Sequence, residues 1–188
     1  MNHNILASAS PRRKNLLNQI GFEFTVIPSK VEENLKNIFP PEAFTEYWAR
    51  KKAQDVAKDY PNSFVIGADT IVLLDDKILG KPKNNLDSEQ MLRSLSGRTH
   101  EVITGVSLIL LKKNIDITFN NRTYVSISKL CDRDIYNYIE NYQPLDKAGS
   151  YGIQDGFSIY IKGIKGCYFN VMGFPLYAFY KYYNFLIK

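Results

Sequence analysis

The stretch "ILASASPRR", residues 5–13, decides how this chain is read. An apolar start, Ile5 to Ala7, gives way to alternating small hydroxyl residues, then to a proline followed by two arginines. Physically, "NILAS" reads as a short buried strand. Ser10 is placed as an N-cap and Pro11 as the first helical residue, where its missing N–H does no harm. Leu16, Leu17 and Ile20 share one face of the predicted helix, and Gly21 supplies a left-handed stop. Strand followed directly by helix is the first of several such alternations along the chain.

Working outward, "FEFTVI" (Phe22 to Ile27) alternates as a strand, and "VEENL" follows as an acidic loop. Pro40 and Pro41 open a long helix over roughly residues 41–59, with Phe44, Trp48 and Val56 facing inward. "FVIGADTIVLL" reads as two strand-like runs broken at "GADT", with "DDK" (Asp75 to Lys77) as a hairpin turn. A helix from about Asp87 to Leu95 ends at Gly97. A long extended pair follows, about 99–111 and 116–128, joined by "KKN". Asp132 to Asn141 is helical and Pro144 ends it; "SIYIK" and "CYFNV" flank Gly163–Gly166 as a hairpin, and Pro175 opens a closing helix. Early alternation with later hairpins predicts an α/β fold: one elongated domain spanning residues 1–188, a mixed sheet flanked by helices, with room for two lobes and a cleft between them.

Composition narrows the chemistry. The longest apolar run, Val106 to Leu111, is far short of the roughly 20 residues that cross a bilayer, so no membrane partner is expected. "MNHN" has no charged lead before an apolar stretch, which leaves a cytoplasmic location as the expectation. Two distant cysteines, Cys131 and Cys167, and two histidines argue against a disulfide framework or a zinc site. Any metal would sit on carboxylates and phosphate oxygens, as magnesium or manganese does. The net charge of +5 suits an anionic partner. No basic stripe interleaved with aromatics appears, so nucleic acid is not expected. Neither common nucleotide cradle, GxGxxG or Walker A, is present.

Four segments carry chemistry. The helix opening at Pro11 directs free N–H groups and a positive dipole end outward. Ser8 and Ser10 add hydroxyl donors, and Arg12 and Arg13 add planar forks suited to phosphate. The same residues would equally serve an ordinary capped helix with surface arginines. In "IGADTIV", Asp69 ends an apolar run, and a carboxylate buried there needs a cation, metal or donor facing it. Small Gly67 and Ala68 are expected to leave room for a bulky ligand, although a strand-end turn aspartate fits too. Glu33 with Asp69 could hold a divalent ion, and Lys52 and Lys81 could neutralise phosphate, unless each is a solvated surface charge. "LDKAGSYGIQDG" (Leu145 to Gly156) has three glycines and anchoring apolar residues, as a loop approaching a ligand would.

In order along the chain, "LASASPRR", Glu32–Glu33, "ARKKA", "GADTIV", "GKP", "MLRSLSGRTHEVITGV", "LDKAGSYGIQ" and "VMGFPL" resemble the Maf family of nucleoside triphosphate pyrophosphatases. The resemblance implies hydrolysis between the α and β phosphates, a divalent cation (Mg2+ or Mn2+), a nucleoside triphosphate partner and a homodimer. It implies Asp69 as catalytic proton acceptor, Asp69 and Glu33 as metal ligands, and Ser8, Ser10, Arg13, Lys52 and Lys81 on phosphate. "SPRR" with "GADT" and "YGIQ" looks like the branch acting on dTTP and UTP, which implies Arg12, Thr70 and Gln154 as specificity residues. A glutamine amide can accept from N3–H of uracil or thymine and donate to O4, but its two ends are nearly symmetric, so a neighbour must fix it. Alternatives are a 7-methyl-GTP or modified-nucleotide pyrophosphatase, or a nucleotide-binding regulator of cell division. Cys131 stands where a hydroxyl cap is expected before "DRDI", which predicts a less firmly started helix.

Overall fold

The structure is a computed structural model and describes residues 3–32 and 40–187. Among them a mixed sheet runs in the order β2-β1-β3-β5-β6-β7, with β4 paired to β3. The strands are β1 (Asn4–Leu6), β2 (Thr25–Val26), β3 (Phe64–Leu74), β4 (Lys77–Leu79), β5 (Thr99–Leu110), β6 (Ile115–Ile127) and β7 (Ile161–Lys165). The helices are α1 (Pro11–Gln19), α2 (Pro41–Ala57), α3 (Asn85–Leu95), α4 (Asp132–Tyr142), α5 (Tyr168–Val171) and α6 (Leu176–Ile187). β1 pairs in parallel with both β2 and β3, whereas β3–β4 and β6–β7 are antiparallel. The α/β reading with a mixed, helix-flanked sheet therefore holds. No helix among the described residues is long and apolar enough to cross a membrane.

The chain divides into two compact units. The first comprises Met1–Thr70, Thr104–Asn121 and Gly173–Lys188. One face of its strands packs Ile5, Ala7, Val65 and Ile109 against Ala53, Val56 and Ala57 of α2. Other aromatics join α6 to β3 and to the loop after α1: Phe64 meets Tyr183 edge-on at 5.0 Å, and Phe22 meets Phe179 at 5.2 Å. The second unit comprises Ile71–Ile103 and Arg122–Met172. Its core joins Val72, Leu92, Leu95, Val102, Val125, Ile135, Tyr138, Ile153 and Phe157.

Several sequence expectations change. "GADT" does not break the strand: β3 is continuous over eleven residues. Gly67 and Gly105 instead let α2 lie directly on the sheet. A Cβ on Gly67 would overlap the Ala49 carbonyl oxygen and come within 2.8 Å of the Ala53 nitrogen. One on Gly105 would overlap the Thr45 carbonyl and come within 2.7 Å of the Glu46 nitrogen. The space beside Gly67 is thus filled by helix backbone rather than left for a ligand. Gly67→Ala is accordingly expected to cost about 3 kcal/mol, the upper end for overpacking, read as a lowered urea midpoint at unchanged slope.

The hairpin expected around Gly163–Gly166 is also absent. β7 runs through Gly163 and takes its partners from β6, with Tyr124 opposite Lys165 and Val125 opposite Ile164. "CYFNV" becomes α5, where buried Asn170 donates to the Val102 carbonyl and to Thr123 Oγ1, each at 3.0 Å. Ile20 is exposed rather than sharing the buried face of Leu16 and Leu17. Helix α4 is capped despite Cys131: the Asp134 carboxylate accepts from the Cys131 backbone N–H at 2.9 Å.

Candidate active site

The segment after β1 builds a capped helix start. Ser10 caps α1, its Oγ accepting from the Arg13 backbone N–H at 3.5 Å, with Pro11 in the first turn and no acidic residue there. Nothing in that turn offsets the positive dipole end. The Ser10 N–H donates to Ser8 Oγ at 3.2 Å, which folds the two hydroxyl residues back on each other. Ser8 is buried, while Ser10 and Arg12 are half-buried.

Arg13 turns inward. Its guanidinium donates to the Gly173 carbonyl at 2.9 Å, to Ser8 Oγ at 3.1 Å and to Thr70 Oγ1 at 2.9 Å. Thr70 Oγ1 in turn lies 3.0 Å from Thr104 Oγ1 on β5. The rigid fork of an arginine suits this task, since three acceptors on three segments are held by one planar group. Arg13 thereby braces the cradle, acting on Ser8 and Thr70 together. Thr104 and Gly173 were not singled out from the sequence. A threonine within the apolar run "VITGVSLILL" is a signal that could have found the first, because a buried hydroxyl in a strand must have a partner.

Asp69 follows a different path. Successive strand residues point to opposite faces, so Thr70 meets Arg13 of α1 while Asp69 meets α2. There Lys52 Nζ donates to Asp69 Oδ1 at 2.8 Å. The side chains are only 12% and 5% exposed, so the pair is nearly out of water. Lys52 reaches the strand because Gly67, Ala49 and Ala53 bring α2 so close to β3. Ser8, Ser10, Arg13, Lys52, Asp69 and Thr70 all belong to the first unit. Glu33 lies outside the described residues.

Lys81 and Gln154 belong to the second unit, and both are exposed. Their loops are joined: the Gly149 N–H donates to the Gly80 carbonyl at 3.0 Å, and the Ser150 hydroxyl bonds that of Ser88 on α3. Tyr151, beside that serine, shares a 2.7 Å hydrogen bond with His100 Nε2. Burial lowers the His100 pKa to about 4, so the ring is neutral at pH 7.

Among the described residues, no cluster of three or more histidines, cysteines or carboxylates forms a self-sufficient metal site. The donor set instead offers one buried carboxylate, Asp69. That matches a magnesium-type ion, which takes one or two protein carboxylates and completes its shell with water and substrate phosphates.

The first unit thus carries two sets of groups suited to a phosphate-bearing ligand: a basic, hydroxyl-lined helix start on one face of β3 and a buried carboxylate–ammonium pair on the other. The chain belongs to the Maf family, whose model, described as Maf-like protein, matches residues 3–185. It is 46% identical over 177 residues to a dTTP/UTP pyrophosphatase of Ruminiclostridium cellulolyticum, covering 94% of this chain and 92% of that protein. A dTTP/UTP pyrophosphatase of Koribacter versatilis is likewise 46% identical, over 94% of this chain and 91% of its own length. One from a Geobacillus species is 45% identical, over 92% of this chain and 91% of its own. Among solved structures, a HAM1 protein from Coxiella burnetii aligns with a TM-score of 0.49 and 15% identity, over 69% of this chain and 75% of that one.

Proposed function

We propose that this chain hydrolyses dTTP and UTP to the nucleoside monophosphate and pyrophosphate. The observation that carries the reading is the buried Asp69–Lys52 pair, at 2.8 Å, in a Maf-family chain whose relatives bear that activity in their names. Asp69 takes a proton from the attacking water as its oxygen bonds to the α-phosphorus. The α-phosphorus-to-bridging-oxygen bond breaks, and its electron pair leaves with pyrophosphate. Lys52 holds the carboxylate in place and supplies positive charge beside the reacting group.

Ser8, Ser10 and the first turn of α1 receive phosphate oxygens, with Arg12 and Lys81 as cations and Arg13 acting through the Ser8 hydroxyl it holds. Arg12, Thr70 and Gln154 set substrate choice, Gln154 by hydrogen bonds to the base edge. A divalent cation would be held by Asp69 and the phosphates, and it neutralises charge on the phosphoryl oxygens when bound. The family resemblance supports a cytoplasmic homodimer as the working form.

The test is pyrophosphate release by the purified protein across canonical and modified nucleotides, with Mg2+ or Mn2+ present. Release from dTTP and UTP with the monophosphate as co-product is the expected result. Binding of these nucleotides without release from any of them would overturn the proposal.

A further inference from the structure

Gln154 is a demanding choice for reading a pyrimidine, because its amide matches uracil in one orientation and cytosine in the other. Besides a neighbour that fixes the amide, such a reading needs the side chain's origin held in place. In the second unit, residues 152–155 close into a turn, the Asp155 N–H reaching the Gly152 carbonyl at 3.4 Å. Ile153, 4% exposed, roots the turn in the core, and Gln154 stands at its outer corner. Gly152 stands at the start, where a Cβ would press on the Asp155 carboxylate.

One hydroxyl ties both ends of this turn. Tyr138 OH on α4 accepts from the Gly152 N–H at 2.9 Å and lies 3.2 Å from both carboxylate oxygens of Asp155, to which it donates. Asp155 also accepts from the Phe157 N–H at 3.0 Å, so the carboxylate caps the next turn as well. The Tyr138 ring is 3% exposed and packed edge-on against Phe157 at 4.9 Å, which leaves the hydroxyl no other place to go. Burial, and then the Asp155 charge, push the phenol's pKa up, so it keeps its proton and remains a donor.

We infer that Tyr138 is a specificity-positioning residue: its hydroxyl clamps Gly152 and Asp155 so that the Gln154 side chain reaches for the base from one fixed origin. It touches no substrate and acts only through the turn. The inference rests on the reading of Gln154 under the proposed function and extends it to a residue that no motif singled out.

The test is Tyr138→Phe, which removes one oxygen and keeps the packed ring. Its readout is the ratio of kcat/KM for dTTP to that for dCTP, measured beside the unsubstituted protein. The expected result is a fall in that ratio of about tenfold, the scale of one fixed hydrogen bond, arising mainly in KM while kcat for dTTP changes no more than about threefold. Asp155→Ala removes the acceptor at the other end of the clamp and is expected to lower the ratio in the same direction as Tyr138→Phe. It serves as the measured variant should the latter not fold. An unchanged ratio in whichever variant is measured would overturn the inference while leaving the proposed function standing. So would an equal loss of kcat/KM on both nucleotides, the mark of a merely structural role. Failure of the unsubstituted protein to prefer dTTP over dCTP would instead overturn the reading of Gln154, and this inference with it.

Discussion

Asp69→Asn is expected to lower kcat for dTTP by roughly 10²–10⁴-fold, the usual contribution of a positioned general base. The substitution keeps the shape and hydrogen-bonding reach of the side chain but removes its ability to take a proton. The fold is expected to survive, because the amide oxygen can still accept from Lys52 Nζ, which lies 2.8 Å from Asp69 Oδ1. The check is steady-state pyrophosphate release alongside far-UV circular dichroism and a urea curve. Full turnover in a folded Asp69→Asn protein would remove the carboxylate from the mechanism. An unfolded product would show that Asp69 is chiefly a structural anion.

The second large effect falls on Lys52. Lys52→Met is expected to destabilise the protein by about 3 kcal/mol at neutral pH, the low end for breaking a buried ion pair. The methionine fills much of the same space, so the loss reports the charge left facing α2 rather than a cavity. Asp69 is 4% exposed, and water cannot readily replace the ammonium there. The measurement is the urea midpoint of Lys52→Met, Asp69→Asn and the double variant. Because the two groups are in contact, the double variant is expected to recover most of the stability lost by Lys52→Met. A double variant as unstable as the sum of the two single changes would mean that the pair is not coupled.

Both predictions depend on a feature visible only in part along the chain. "GADT" pointed to Asp69, and "ARKKA" held Lys52, but the sequence spacing of seventeen residues could not place them together. What joins them is the closeness of α2 to β3, granted by Gly67 and Gly105. Read in one dimension, Gly67 weakens a strand and makes room for a ligand. In three dimensions it makes room for a helix backbone, which keeps β3 continuous and puts an ammonium over the carboxylate.

The helix start shows the same division. Ser10 as cap and Pro11 in the first turn were legible because capping is local, involving groups three residues apart. The role of Arg13 was not, because its partners Thr70 and Gly173 are 57 and 160 residues away. A guanidinium written beside a phosphate cradle looks like a phosphate ligand until its acceptors are seen. The missed hairpin at Gly163 has a related cause: local glycine spacing allows a turn, but β6 offers hydrogen-bond partners along the whole segment.

By itself the sequence determined the elements whose causes are local: the Ser10-capped helix α1, the Asp75–Lys77 turn, the long β5–β6 pair and the α/β class. The ordered motifs also determined the family, since a set of short matches in register from end to end leaves little freedom. Only the tertiary structure decided which groups share hydrogen bonds: Lys52 with Asp69, Arg13 with Ser8 and Thr70, and Tyr138 with both ends of the Gln154 turn. The physical reason is that a buried polar group must find a partner wherever packing places one, and packing is set by long-range contacts between side chains and bare backbone that no local window contains.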